Sequence, residues 1–168
     1  TYHLDELIKN LINMIKSRAE KKKLDFEVKV NENIPNELFG DSVRIRQVVV
    51  NFLTNAVKYT REGYIEISVS WTKGFGSFVD LTFSVKDTGI GIKQEDIKRM
   101  FESFERLEVN KNRNIEGAGL GMPITQSLLK MMGSSLNVES VYGQGSTFSF
   151  TIGQEVVNGE PIGDFNQK

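Results

Sequence analysis

Two stretches of alternating polarity, YIEISVSW (Tyr64 to Trp71) and FVDLTFSVKD (Phe78 to Asp87), constrain this chain most. Both carry their apolar residues at odd positions: Ile65, Ile67, Val69 and Trp71 in the first, Val79, Leu81, Phe83 and Val85 in the second. A period of two puts successive side chains on opposite faces of an extended strand, so each stretch buries one face. The intervening KGFGS supplies two glycines for a turn, and the pair reads as an antiparallel hairpin. Its apolar face demands a second layer to cover it.

The helices that could form that layer are legible from their 3.6-residue period. Leu4, Leu7, Ile8, Leu11, Ile12 and Ile15 predict an amphipathic helix over 4–20. LDFEVKV (Leu24 to Val30) alternates as a strand, and NENIPNELFGD, with its Pro and Gly, reads as a loop. Asp41 or Ser42 can cap a helix running from about Ser42 to Tyr59. KQEDIKRMF reads as a short helix, 102–121 shows no sustained period, and a further helix is expected from about Met122 to Met132. SSLNVES and GSTFSFTI are expected to be closing strands, with 153–168 a polar linker or tail. These elements predict one α/β domain over 1–152. Its form is a two-layer sandwich, a mixed sheet of roughly five strands with about three helices on one face. A length of 168 residues suits a single core.

Composition narrows the function. A formal net charge of −1 argues against a broad nucleic-acid surface, which needs a basic excess. With no cysteine there are no disulfides and no thiolate metal sites, which suits a reducing compartment. No apolar run approaches the ~20 residues of a membrane span, and no signal peptide is visible. A chain that starts at Thr1 rather than Met is expected to be a fragment of a longer one.

Three constellations carry chemistry. The first lies in QVVVNFLTNAVKYT, where Asn51, Asn55 and Lys58 follow one another at spacings of four and three and so share a helical face with Arg44 and Gln47. The rest of that helix is largely apolar, the reverse of a surface helix, and its polar line must face something that satisfies hydrogen bonds. Such a line fits a solvated groove, or a polyanion with its metal: an amide oxygen is a hard neutral ligand for Mg²⁺, and a lysine one turn away neutralises phosphate.

The second is Asp87-Thr88-Gly89-Ile90-Gly91. Asp87 continues the inward parity of its strand, and an ionised carboxylate aimed inward is costly without a partner. The sequence is good turn chemistry. It also suits an acceptor for an exocyclic amine beside glycines that admit a flat ring, as adenine would require.

The third is EGAGLGMPITQSLLKMMG, with glycines at 117, 119 and 121 before a helix, and Pro123 in the first turn, where its missing N–H costs little. Free backbone N–H groups ahead of a helix can meet an anion. It is neither a dinucleotide fingerprint nor a P-loop. Upstream, Phe101 and Phe104 stand three apart with Arg106 beside them, either an apolar anchor or a hinge for a lid.

In this order the polar stripe, Asp-x-Gly-x-Gly, Phe-x-x-Phe and Gly-x-Gly-x-Gly resemble the ATP-binding catalytic domain of sensor histidine kinases. These belong to the superfamily shared with gyrase, Hsp90 and MutL. The resemblance runs from about Leu4 to Ile152, and FGDSVRIRQVVVNFLTNAVKYT and YGQGSTFSFTI are similar to hybrid kinases. It implies a Bergerat-type fold with ATP and Mg²⁺ as cofactors. Asn55 would ligate the metal, Asn51 and Lys58 would lie near the phosphates, Asp87 would accept from the adenine amine and Tyr59 would flank the nucleotide. Gly89, Gly91, Ile92, Phe104, Gly117, Gly119, Leu120 and Gly121 complete the implied binding set, and Asn51, Lys58 and Arg106 the catalytic one. Two departures stand out: Ala118 where a hydroxyl is common, and Met122-Pro123 for a more usual Leu-Ala.

The family's phosphoacceptor histidine lies on a separate dimerisation domain. His3, the only histidine, lacks its sequence context and reads as an exposed N-terminal residue. The implied partners are that histidine-containing domain and a downstream response regulator or receiver domain. The fragment itself is expected to be monomeric and cytoplasmic, within a protein that membrane anchoring would suit. A nucleotide-binding regulatory domain and a serine-directed kinase of the same superfamily are the alternative readings. A hydrolysing ATPase is disfavoured, because the place of the water-activating glutamate holds Asn51, and an amide is no general base near neutral pH.

Overall fold

The computed structural model describes residues 1–109 and 121–164, with side chains described outside 102–109 and 121–122. In chain order the elements are β1 (Tyr2–His3), α1 (Leu4–Lys21), β2 (Asp25–Val30), β3 (Pro35–Phe39), α2 (Ser42–Tyr59), β4 (Tyr64–Lys73) and β5 (Phe78–Asp87). There follow α3 (Gln94–Val109), α4 (Gly121–Met131), β6 (Asn137–Val141) and β7 (Gly145–Pro161). The strands form one mixed sheet in the order β1-β3-β7-β5-β4-β2, with β6 also on β7. β2 runs parallel to β4, and the other pairings are antiparallel.

The alternation of β4 and β5 is realised as read. Ile65, Ile67, Val69, Val79, Leu81, Phe83 and Val85 are all buried, with Trp71 partly so. They meet the apolar sides of α1 and α2 in one core, with Leu129 of α4 in the same cluster. α2 is seated by Phe52, whose ring lies 5.7 Å from Phe148 and 5.9 Å from Phe150 on β7. Phe150 in turn stacks on Phe83 of β5 at 5.4 Å. Offset and edge-on aromatic contacts of this kind add to area burial and fix orientation. α2 therefore crosses the sheet at a set place, with its N-terminus capped by Asp41, whose carboxylate accepts from the Arg44 N–H at 3.1 Å.

The sheet has seven strands among the described residues rather than about five, while the four helices lie where they were expected. The differences have local causes. Pro35–Phe39 is a strand, not a loop: Pro35 occupies its first position, where a missing N–H is tolerated, and Leu38 is fully buried. The strand expected to close at Ile152 continues to Pro161, pairing with β3. The pattern broke there because the inward position after Ile152 is Gln154. Its amide is satisfied inside, accepting from the Tyr2 hydroxyl at 2.8 Å and donating to the Gly153 carbonyl at 2.6 Å. α3 likewise runs past Phe101 to Val109. His3 is exposed, as read, and pairs with Glu37 at 3.3 Å.

Candidate functional site

The C-terminal end of α2 meets the end of β5, and this junction brings two of the three constellations together. The Ile90 N–H donates to the Tyr59 carbonyl at 3.3 Å, and the Thr88 hydroxyl accepts from the Tyr64 N–H at 3.0 Å. The turn after Asp87 is thus tied to the last turn of α2. Gly89 is required by this closeness, because a β-carbon there would collide with the Tyr59 carbonyl oxygen. Gly91 is required for a different reason. It sits at φ +72°, where L side chains are strained, and its α-carbon faces the Val141 carbonyl on β6. Both glycines serve close approach, as read, but what approaches is the chain's own backbone.

Asp87 points inward and is buried. Its Oδ1 accepts the Gly89 N–H at 2.9 Å, and the Ser146 N–H, its cross-strand neighbour on β7, also donates to the carboxylate. Burial raises the carboxyl above its ordinary value of 3.8, and the two N–H groups partly offset this. An ionised carboxylate has about four acceptor positions, so two donors leave room for more.

The polar stripe runs back along α2. Asn51 and Asn55 are half-buried and Lys58 is exposed, so the line borders a groove. The Asn51 amide donates to the Thr125 hydroxyl of α4 at 3.0 Å, which fastens α4 to the stripe, and no donor among the described residues engages the Asn51 amide oxygen. The Asn55 side chain makes no hydrogen bond among the described residues. Lys58 turns back over the ring of Tyr59, 5.4 Å from its centroid, a cation–π contact rather than a reach along the stripe. Ile92, expected at the site, packs against the core, and its N–H donates to Ser140 at 2.7 Å.

A cation at Asn55 fits this donor set in one way only. No cluster of three His, Asp or Glu exists among the described residues, so a single amide oxygen would need partners from the ligand and from water. Mg²⁺ is a metal that usually keeps waters and shares substrate phosphates.

The third constellation is mostly out of view. Gly117, Gly119 and Leu120 lie outside the described residues, as does Ala118. Phe104 and Arg106 fall on the described backbone of α3, Gly121 opens α4, and Pro123 sits in its first turn. Phe101 packs against the core.

Ser146, Thr60 and Thr125 were not singled out by the sequence, yet all three border the site. Ser146 would have required knowing that β5 pairs with β7 in the register Asp87 to Ser146. Thr125 required the packing of α4 on α2. Thr60 follows the stripe directly and carried the one available signal, a hydroxyl next to Tyr59 in a buried helix end.

Residues 40–156 match the family described as histidine kinase-, DNA gyrase B-, and HSP90-like ATPase. The chain is 38% identical over 147 residues to hybrid signal transduction histidine kinase B of Dictyostelium discoideum, covering 88% of this chain and 8% of that protein. It is 34% identical over 162 residues to the sensory/regulatory protein RpfC of Xanthomonas campestris pv. campestris, covering 96% of this chain and 22% of the relative. The chain therefore spans less than a quarter of the length of either. Among solved structures, full-length ShkA in complex with AMPPNP superimposes with a TM-score of 0.74 at 31% identity, over 92% of this chain and 30% of that one. The nucleotide-free catalytic domain of histidine kinase ThkA shares the fold, with a TM-score of 0.64 at 23% identity over 90% of this chain and 92% of its own. The chain belongs to the histidine kinase-, DNA gyrase B- and HSP90-like ATPase family.

Proposed function

We propose that this chain binds Mg²⁺-ATP along α2 and the Asp87 turn and transfers the γ-phosphoryl group to a histidine on a separate dimerisation domain. The observation that carries the reading is Asp87: buried, fixed by two backbone N–H groups, and with acceptor capacity to spare at the end of the polar stripe. That capacity suits the exocyclic amine of adenine. Tyr59 then flanks the base, with Gly89, Gly91 and Ile92 shaping the turn beside it. Asn51, Asn55 and Lys58 lie along the direction in which a triphosphate would extend, with Asn55 as the metal ligand. Phe104, Arg106, Gly117, Gly119, Leu120 and Gly121 complete the proposed nucleotide-binding set. Bound Mg²⁺ would supply neutralisation of the phosphate charge.

The residues on α2 favour transfer over hydrolysis. Asn51 cannot take a proton from water, so the γ-phosphoryl survives until an imidazole is presented. The unprotonated ring nitrogen donates its lone pair to the γ-phosphorus, the bond to the β–γ bridging oxygen breaks with its electrons leaving on ADP, and the proton on the other ring nitrogen passes to solvent. Lys58 and Arg106 stabilise charge developing on the transferring oxygens, and positioning supplies much of the rest. The histidine-bearing domain and a response regulator or receiver domain are the partners this reaction requires. The reading places the domain in the cytoplasm as a monomer. No helix among the described residues is long and apolar enough to cross a membrane.

The test mixes this chain with a separately made dimerisation domain and γ-labelled ATP. Acid-labile label on the partner, lost when its histidine is replaced, is the expected result. Acid-stable label on serine, free phosphate alone, or tight nucleotide binding with no transfer would each overturn it.

A further inference from the structure

The outer face of the sheet, turned away from the core, carries polar side chains along most of β5 and β7. Its positions are Asp80, Thr82, Ser84 and Lys86 on the first and Thr147, Ser149 and Thr151 on the second. One end departs from this. Phe78 of β5 and Phe39 of β3 are both register partners of Glu155, on the two sides of β7, and all three are exposed. Directly opposed residues on neighbouring strands have β-carbons about 5 Å apart, so the two phenylalanines flank one carboxylate. A single exposed apolar side chain asks for no explanation. Two placed about one charge, with Phe75 almost fully exposed at the adjoining β4–β5 turn, form a patch. Packing within the chain accounts for only part of it. The Phe78 ring leans over β7, its Cδ2 3.9 Å from where a β-carbon on Gly153 would stand, and Asp80 Oδ1 lies 3.4 Å from the same point. Gly153 thus floors a notch between a ring and a second carboxylate, diagonal to Glu155 on the same face. Neither Asp80 nor Glu155 has an ion-pair or hydrogen-bond partner for its side chain among the described residues.

We propose that this end of the outer sheet face is a docking site for an arginine side chain presented by a protein partner. Charge complementarity names the occupant. The notch offers two carboxylates, which only accept hydrogen bonds, and two rings whose faces attract a cation. A guanidinium meets both demands at once, because its plane stacks on aromatic faces while its fork bonds carboxylates. An ammonium is a compact, strongly hydrated charge that meets them less well. An acidic segment would be repelled, and an apolar one would cover two charges without pairing them. The place is distinct from the Asp87 junction. Phe78 and Asp87 are the first and last residues of β5, about 30 Å apart along an extended strand, and Asp87 points to the opposite face. A partner seated here leaves the groove along α2 open.

The test titrates the unmodified chain with three capped tripeptides, followed by backbone amide NMR. Each has glycine flanks, with arginine, lysine or citrulline at the centre; citrulline keeps the shape of arginine and loses its charge. The arginine peptide is expected to shift the amides of Phe39, Phe78, Gly153 and Glu155 saturably. It is expected to bind about tenfold more tightly than the citrulline peptide, the difference between charge-assisted and neutral hydrogen bonds, with the lysine peptide between them. Glu155→Gln and Phe39→Ser, both at exposed positions, should each weaken the arginine peptide about fivefold to tenfold and leave the rest of the amide spectrum in place. Lysine or citrulline binding as tightly as arginine overturns the proposal. So do shifts centred elsewhere, no saturable shift at all, or variants that bind as the unmodified chain does. Sedimentation of the chain alone tests the rival occupant: a dimer that Phe39→Ser dissolves would assign this face to a second copy and overturn the proposal as well.

Discussion

At Asp87, burial and hydrogen bonding pull in opposite directions, and burial is the larger. A carboxyl whose folded pKa is raised binds protons more readily in the folded state than in the unfolded one. Its contribution to stability is complete below the ordinary value of 3.8 and is lost as pH rises through the folded value. Above that window the protein holds a buried negative charge at a cost, one that a bound amine would relieve. Asp87→Asn removes the charge but not the shape. Its stability relative to the unmodified chain is therefore expected to improve as pH rises through the window above 3.8 and then level off, as read from urea midpoints. The same variant is expected to lose about tenfold to 100-fold in ATP affinity, because a charge-assisted acceptor is gone. Parallel stability profiles for the two proteins would contradict the burial argument. Asn55 poses a separate question, since its side chain has no hydrogen bond to lose among the described residues. Asn55→Ala should leave the unfolding free energy within about 0.5 kcal/mol of the unmodified chain and reduce affinity in Mg²⁺ to that seen with a chelator. Unchanged affinity both with and without Mg²⁺ would remove Asn55 from the metal.

At the scale of the element, α2 holds the stripe in place from two sides. Phe52 anchors its middle on Phe148 and Phe150, and the Lys22 ammonium reaches the carbonyls of Val57 and Lys58 at its end. A cation at the last carbonyls of a helix meets the negative end of its dipole. Phe52→Ala is expected to cost about 3–5 kcal/mol in chemical denaturation, and Lys22→Met about 0.5–1 kcal/mol, with the smaller loss shrinking further in high salt. What was legible in the sequence follows the same division. β4, β5 and α2 announce themselves because one periodicity governs each, and the inward aim of Asp87 follows from strand parity alone. β3 and the distal half of β7 were not legible. Each buries few apolar side chains, β3 opens with a proline, and β7 sends Gln154 inward where an aliphatic residue would have marked the pattern. The reason for Gly91 also lay beyond reach, because the carbonyl it meets belongs to Val141, fifty residues on.

Across the whole molecule, β7 is the strand on which the sheet depends. β5 lines one of its sides along ten residues, while the other side is shared, with β6 against its beginning and β3 against its end. Its first residues hold the Ser146 N–H against Asp87, and its last hold the edge formed by β3 and β1. The two ends of one strand thus serve the Asp87 junction and closure separately, and truncation can part them. A chain ending at Ile152 would keep the Asp87 junction, α2 and β6. It would lose the ladder to β3 and the Gln154 amide that the Tyr2 hydroxyl engages, leaving Leu38 and Tyr2 without their outer neighbours. Stability is expected to fall by about 3 kcal/mol or more, from unpaired strand groups and exposed apolar surface together. Amide exchange should quicken at Leu38, the partner of Val156, and remain slow at Phe83 in the centre of the sheet. Nucleotide affinity measured below the lowered melting temperature should stay within about threefold of the full chain, because nothing that touches Asp87 has been removed. If the shortened chain proves as stable as the full one, residues 153–161 are a linker that merely lies along β3, and the edge of the domain ends at Ile152.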